Sequence, residues 1–293
     1  MFKPSNAVIN GQFLKKNNDQ LVSIYSPSFQ YGLTVFEGIR LYFVKNELKP
    51  FLLEEHVTRL LRSWKLLGLG DVTSKEVIFK DINILLKNAK AKNNIYLKYL
   101  VGYLTEGSWS TFEKPDRLCF FYRSESIFEK NEVPKAKASI SSIKRINSNS
   151  LAANIKCGAN YINSRLAYMD VQTNKNTNTI PIMLNEAGMI AESSGTSLFI
   201  IKDKEVITPS LSADILPSIT REYLLKYISK KINSINFKEA NISRWDIYDA
   251  DAVFLVGTAA ELIELSEIDL YQYKPNNIIL NKIYKEFRNY IFQ

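Results

Sequence analysis

A single histidine, His56, and two cysteines, Cys119 and Cys157, are all that this chain of 293 residues offers toward soft-metal or thiol chemistry. One histidine cannot build a His-rich metal site, and any Ser-His-Asp arrangement would have to use His56 itself, so no metal centre is expected. Two thiols outside any C-x-x-C spacing make no disulfide framework, which points to a reducing, cytoplasmic location. No run approaches the roughly 18 apolar residues that cross a bilayer, and Met1 to Gln20 has no apolar stretch behind its basic residues. Neither a membrane partner nor export is expected. Internal repeats and low-complexity tracts are also missing.

The chain does carry an excess of basic residues: 38 Lys and Arg against 30 Asp and Glu, a formal charge of +8. Their distribution argues against a nucleic-acid partner. Lysines are interleaved with acids, as in Lys202-Asp203-Lys204-Glu205, and form no stripe with aromatic neighbours. A small anionic ligand such as a phosphate ester fits this pattern better. A hydrophobic share of 46% and a charged share of 23% predict an ordered globular protein with a substantial core.

Periodicity predicts mixed α and β structure. Val8 and Phe13 flank Asn10-Gly11, a two-residue hairpin signal within Ala7 to Val22, and a second turn falls at Lys45-Asn46-Glu47. Leu53, Val57, Leu60, Leu61, Trp64 and Leu67 recur at helical spacing before Gly68, with His56, Arg59 and Arg62 on the polar face. A helix over Ser74–Lys92 and strands at Ile95–Tyr103 and Leu118–Tyr122 follow. The charged stretch 126–134, with few residues suited to a core and Pro134 at its end, reads as a linker between a smaller domain, 1–125, and a larger one, 135–293.

In the second half the pattern predicts a strand at Ala138–Ile143 and a helix containing Asn163–Asn174. Two hairpins follow, Ile180–Asn185 with Met189–Glu192 and Ser197–Ile201 with Val206–Thr208. A helix from about Ser218 to Lys231, a strand at Ala252–Val256 and a final helix at Ile279–Phe292 complete the reading.

Two segments of this half suit a phosphate. In Leu216-Pro217-Ser218-Ile219-Thr220-Arg221, a proline and small hydroxylated residues open a helix whose first N–H groups have no partner inside it. In Val256-Gly257-Thr258-Ala259-Ala260-Glu261, a strand runs into small residues that let backbone approach a ligand. Alone, each is also an ordinary helix start or a tight turn. Lys156, in Asn154-Ile155-Lys156-Cys157-Gly158-Ala159-Asn160-Tyr161, is followed by small residues that allow partial burial, which favours the neutral, nucleophilic amine.

Taken in order, these segments resemble the fold type IV, or D-amino-acid-aminotransferase-like, group of pyridoxal-phosphate enzymes, and within it the branched-chain aminotransferases. Tyr31-Gly32-Leu33-Thr34-Val35-Phe36-Glu37-Gly38-Ile39-Arg40 is similar to the N-terminal signature of that group, and His56-Val57-Thr58-Arg59-Leu60 to its arginine helix. Lys156 to Tyr161 is similar to its lysine motif, and Glu192-Ser193-Ser194-Gly195-Thr196-Ser197-Leu198-Phe199 to its acidic motif. The likeness spans nearly the whole chain.

The resemblance implies a two-domain α+β fold of type IV, pyridoxal 5'-phosphate as cofactor, an amino acid and a 2-oxo acid as substrates, and a homodimer. It implies that Lys156 bonds the cofactor and moves the proton between the substrate's α carbon and the cofactor's C4′. Glu192 pairs with the pyridine nitrogen, Tyr161 with the phenolic oxygen, and Arg59, Ile219, Thr220 and Thr258 with the phosphate. Tyr31, Phe36, Arg40, Tyr96, Lys98, Thr258 and Ala259 line the substrate site.

Two departures bear on substrate choice. Lys98 stands where many bacterial branched-chain enzymes have arginine, and lysine lacks the planar fork that grips a carboxylate. The stretch 104–110, with Trp109, lacks a glycine-rich turn. The reading is a transaminase acting on leucine, isoleucine or valine with an acceptor such as 2-oxoglutarate. An aminodeoxychorismate-lyase-like enzyme or a D-amino-acid transaminase of the same fold is the alternative.

Overall fold

The computed structural model of the chain describes residues 6–15, 22–130, 132–172 and 178–292. They divide into two compact units, Met1–Glu125 together with Ile155–Ala159, and Ser126–Asn154 together with Asn160–Gln293.

The first unit is built on an antiparallel sheet of six strands: β1 (Ala7–Ile9), β2 (Gln12–Leu14), β3 (Thr34–Val44), β4 (Glu47–Pro50), β5 (Ile95–Gly102) and β6 (Asp116–Arg123). Their order across the sheet is β2-β1-β6-β5-β3-β4. β1 and β2 pair Val8 with Phe13 around Asn10 and Gly11, both at positive φ, as the Asn-Gly signal predicts. The rest of the expected hairpin, toward Val22, runs through residues 16–21, outside the described residues.

Alternation in β5 sorts the two faces of this sheet. Ile95, Leu97, Tyr99 and Val101 are buried, whereas Tyr96, Lys98 and Leu100 are half-buried. The helices Leu53–Leu67 and Lys75–Ala89 cover the buried face, where Tyr99 donates a hydrogen bond to Asp81 of the second helix. Phe36, Gly38 and Arg40 of β3 sit opposite Leu100, Lys98 and Tyr96 of β5 and share the other face.

The helix Leu53–Leu67 differs from expectation in one respect. His56 and Arg59, read as part of its polar face, are buried at 0% and 8% exposure. The cause is a buried carboxylate facing them, Glu37 of β3.

The second unit holds a mixed sheet in the order β12-β11-β10-β13-β14-β7-β8-β9, with β15 paired to β14. Its strands are β7 (Lys135–Ile140), β8 (Ile180–Leu184), β9 (Ile190–Ser193), β10 (Ser197–Lys202), β11 (Glu205–Pro209), β12 (Asn236–Ala240), β13 (Ala252–Gly257), β14 (Glu261–Ile268) and β15 (Tyr271–Gln272). Pairs β11·β12, β14·β7 and β7·β8 are parallel. β13 is buried along its whole length, and Leu198, Ile200, Val253, Leu255 and Leu265 form the centre of one apolar core.

The expected helix from Ser218 occurs as a helical run over Ile219–Lys231 that widens into a π-turn at Leu224–Ile228. β14 and β12 were not apparent from periodicity. In β14, Glu261, Glu264 and Glu267 interrupt the apolar pattern, yet Glu261 and Glu264 are buried. The stretch read as linker contributes a core residue: Phe128, in the short helix Ile127–Lys130, packs against Tyr284 and Phe287 of the final helix, Ile278–Phe292. The Glu261 carboxylate anchors that short helix, accepting from Ser126 Oγ and Ile127 N, both at 2.7 Å. The helix expected over Asn163–Asn174 runs from Asn160 to Asp170; residues 173–177 lie outside the described residues.

Candidate active site

Lys156 is fixed to the first unit by backbone pairing. β4 covers only Leu41–Val44 of β3, which leaves the start of β3 to the segment around Cys157. Val35 pairs with Cys157, Phe36 N donates to the Lys156 carbonyl at 3.1 Å, and Gly158 N donates to the Thr34 carbonyl at 2.9 Å. Lys156 N donates to Ser63 Oγ at 3.2 Å, so helix Leu53–Leu67 holds the same residue. Gly158 sits close to β3, where a Cβ would lie 2.5 Å from Thr34 Oγ1 and push that side chain aside.

This pairing puts Lys156 beside Phe36. The Lys156 Nζ lies 4.9 Å from the centre of the Phe36 ring, and Lys98 Nζ lies 4.7 Å from the same ring. Arg40, 2% exposed, donates through Nη1 to the Glu125 carbonyl and stands 6.0 Å from the Tyr42 ring. Tyr96 fills the space above Gly38 and packs on Tyr122 with ring centres 5.3 Å apart. Phe36, Arg40, Tyr96, Lys98 and Lys156 are thus brought to one side of this unit. Tyr31 ends the short helix Pro27–Tyr31 and is 46% exposed, and Trp109 is 73% exposed in the loop after β5.

Behind that sheet face lies a buried ionic cluster. Glu37, fully buried, accepts from Arg59 Nε at 2.6 Å, from Arg59 Nη2 at 2.8 Å and from His56 Nδ1 at 2.8 Å. Burial works to raise the Glu37 pKa, but the Arg59 charge and the hydrogen bonds from Arg59 and His56 prevail and hold it at about 2. Burial pushes His56 below its ordinary value; Glu37 opposes this, while Arg59 and Lys156 add to it. His56 is therefore neutral at pH 7, with its proton on Nδ1, since a carboxylate only accepts. Glu37 was not among the expected site residues, although an acid in register with Val35, Ile39 and Leu41 on an apolar strand face is a signal for a buried partner.

In the second unit Glu192, at the end of β9, is buried and accepts on Oε1 from Arg145 Nε at 2.9 Å and from Leu216 N at 3.1 Å. The second bond ties the acidic motif to the Leu216–Arg221 segment. Arg145, itself 5% exposed, was missed; Ile143-Lys144-Arg145-Ile146 reads as ordinary surface sequence. Ile219 and Thr220 open a helix that Ser218 caps by accepting from Arg221 N, and this helix packs on β13. Thr258 and Ala259 form the turn leaving β13. Ser197 pairs with Val256, which brings Thr196 beside Gly257, where a Cβ would lie 3.2 Å from Thr196 Cγ2. Tyr161, 38% exposed, is in the first turn of helix Asn160–Asp170.

The family model described as Amino-transferase class IV matches residues 34–268. The chain belongs to the class IV aminotransferases. This aminotransferase is 31% identical over 275 residues to a probable branched-chain-amino-acid aminotransferase of Aquifex aeolicus, covering 92% of this chain and 86% of that protein. Among solved structures, the branched-chain aminotransferase of Thermoproteus uzoniensis with norvaline aligns with a TM-score of 0.90 at 28% identity, over 98% of this chain and 95% of that one. The Thermobaculum terrenum enzyme in its pyridoxal-phosphate form aligns at 0.89 and 26% identity, over 99% and 95%. The two-unit α+β architecture is fold type IV, and the cofactor of such an aminotransferase is pyridoxal phosphate.

The second unit of this aminotransferase suits that cofactor. Among the described residues, Thr196 Oγ1, Ser197 Oγ and Thr220 Oγ1 are buried without a hydrogen-bond partner, in or beside the segments expected to hold it. Buried hydroxyls are normally bonded, and three orphans around Gly257 and the helix start match a polyoxygenated ligand.

Proposed function

We propose that this aminotransferase transfers the amino group of L-leucine, L-isoleucine or L-valine to a 2-oxo acid such as 2-oxoglutarate. The observation that carries the reading is the stand of Lys156 Nζ 4.9 Å from the Phe36 ring, an apolar wall beside the reactive amine. The branched-chain names of the relatives support it.

When bound, pyridoxal phosphate supplies an aldehyde carbon that takes up the amino group and a protonated ring that draws electrons from the substrate's α carbon. Lys156 is the amine that would bond that aldehyde, and it would move the proton between the substrate's α carbon and C4′. Glu192, oriented by Arg145 and Leu216 N, keeps the pyridine nitrogen protonated. Ile219 N, Thr220, Thr258 and Arg59 hold the phosphate, and Tyr161 donates to the phenolic oxygen. Phe36, Tyr31 and Tyr96 exclude water and seat an apolar side chain, while Arg40, Lys98 and the Thr258-Ala259 turn serve the carboxylates. We assign the working form as a cytoplasmic homodimer, which light scattering on the purified protein tests for mass.

The direct test is the visible spectrum of the purified protein with pyridoxal phosphate, before and after L-leucine is added without an oxo acid. The yellow form is expected to bleach to the pyridoxamine form and to return with 2-oxoglutarate, and Lys156→Ala should abolish both changes. A yellow protein unmoved by L-leucine, L-valine and L-glutamate overturns the assignment in favour of lyase or D-amino-acid chemistry.

A further inference from the structure

The face of helix Leu53–Leu67 that meets β3 carries three contacting residues spaced along its length. Glu37 grips Arg59 with two parallel bonds at 2.6 and 2.8 Å, and one turn further on Ser63 Oγ accepts from Lys156 N. His56, one turn before Arg59, donates to Glu37 Oε2 and fixes the carboxylate from the other side. Glu37, His56 and Ser63 are all 0% exposed.

We propose that Glu37 is a positioning residue for the cofactor's phosphate: clamped by His56, it sets the plane and reach of the Arg59 guanidinium, and so tunes affinity for the phosphorylated form of the cofactor. The physical ground is the fork geometry. A guanidinium held by two parallel bonds through Nε and Nη2 has its plane fixed, whereas a single contact leaves it free to pivot about the side chain. Glu37 lies on the sheet face opposite Phe36 and is bonded to Arg59 and His56, so its influence on the cofactor falls on the phosphate end, through Arg59. The proposal rests on the assignment of Arg59 to the phosphate given above.

The test is titration of the full-length apoprotein with pyridoxal phosphate and, separately, with pyridoxal, which lacks the phosphate, following the appearance of the yellow form. Glu37→Gln keeps the shape but cannot hold Arg59 through two charged bonds. Its affinity for pyridoxal phosphate should fall about tenfold, with affinity for pyridoxal unchanged. In an Arg59→Ala background the same substitution should have no further effect on the preference for the phosphorylated form. Equal losses for both ligands, or no loss for either, overturn the proposal. If Arg59→Ala itself leaves the preference intact, the phosphate assignment of Arg59 fails instead. Should Glu37→Gln give no folded apoprotein, His56→Gln takes its place in the same cycle, with a smaller loss of about threefold expected for the phosphorylated ligand alone.

Discussion

Arg145 donates through Nε to Oε1 of Glu192 at 2.9 Å, and both side chains are buried, at 5% and 6% exposure. A buried pair is costly to break from one side because the remaining charge loses its counter-charge in a place water does not reach. Arg145→Leu is therefore expected to lose about 3–5 kcal/mol of stability in chemical denaturation. Adding Glu192→Gln in the same chain should recover part of it. A single variant as stable as the parent would mean that the carboxylate finds solvent.

His56 and Glu37 predict an acid-sensitive cluster. Both have folded pKa values below their ordinary ones, so the folded state binds fewer protons and stability falls as pH drops. For His56 the loss begins as pH falls through 6.5, where the unfolded imidazole protonates. For Glu37 it begins near 4.5 and continues toward about 2, amounting to on the order of 3 kcal/mol when complete. Since the chain has one histidine, a melting-temperature profile between pH 7 and 5.5 should slope in the parent and flatten in His56→Gln. Parallel profiles would remove His56 as the source.

Thr220 separates stability from binding. Its buried hydroxyl has no partner, so Thr220→Val should leave the apoprotein as stable as the parent or up to about 1 kcal/mol more stable. The same variant should bind pyridoxal phosphate about tenfold more weakly, for loss of one charged hydrogen bond. Differential scanning with and without cofactor reads both effects, and a variant with destabilised apoprotein contradicts the first.

Gly38 makes room for Tyr96. A Cβ at Gly38 would overlap the Tyr96 hydroxyl and ring, so Gly38→Ala must displace that side chain. The expected cost is about 1–3 kcal/mol, as for other overpacked sites. Tyr96→Leu in the same chain should relieve most of it; a double variant no better than Gly38→Ala would place the strain elsewhere.

Local signals were legible where the physics is local. Asn10-Gly11 fixes a hairpin because both residues adopt positive φ readily, and Lys45 and Asn46 also turn at positive φ between β3 and β4. Helix Leu53–Leu67 was legible from its apolar spacing and Gly68. β3 was not, because its near-continuous burial hides the alternation that marks a strand, and β14 was not, because its buried glutamates mimic a surface pattern. The segments expected to handle a cofactor were visible as motifs. Their partners Glu37 and Arg145 were not, since each meets its counterpart across a long sequence separation.

The sequence by itself determined the family, through motifs that resemble it along nearly the whole chain, and it offered Lys156, Glu192 and the two phosphate segments as candidates, because small residues and a helix cap reveal themselves within a few positions. Only the tertiary structure decided which charges are buried. Arg59 and His56 look like the solvated face of a helix until β3 sets Glu37 against them. Lys156 is one lysine among many until backbone pairing with Thr34–Phe36 stands it over an aromatic ring. Burial depends on what the chain brings from elsewhere, and that is a property of the fold and of no single stretch of sequence.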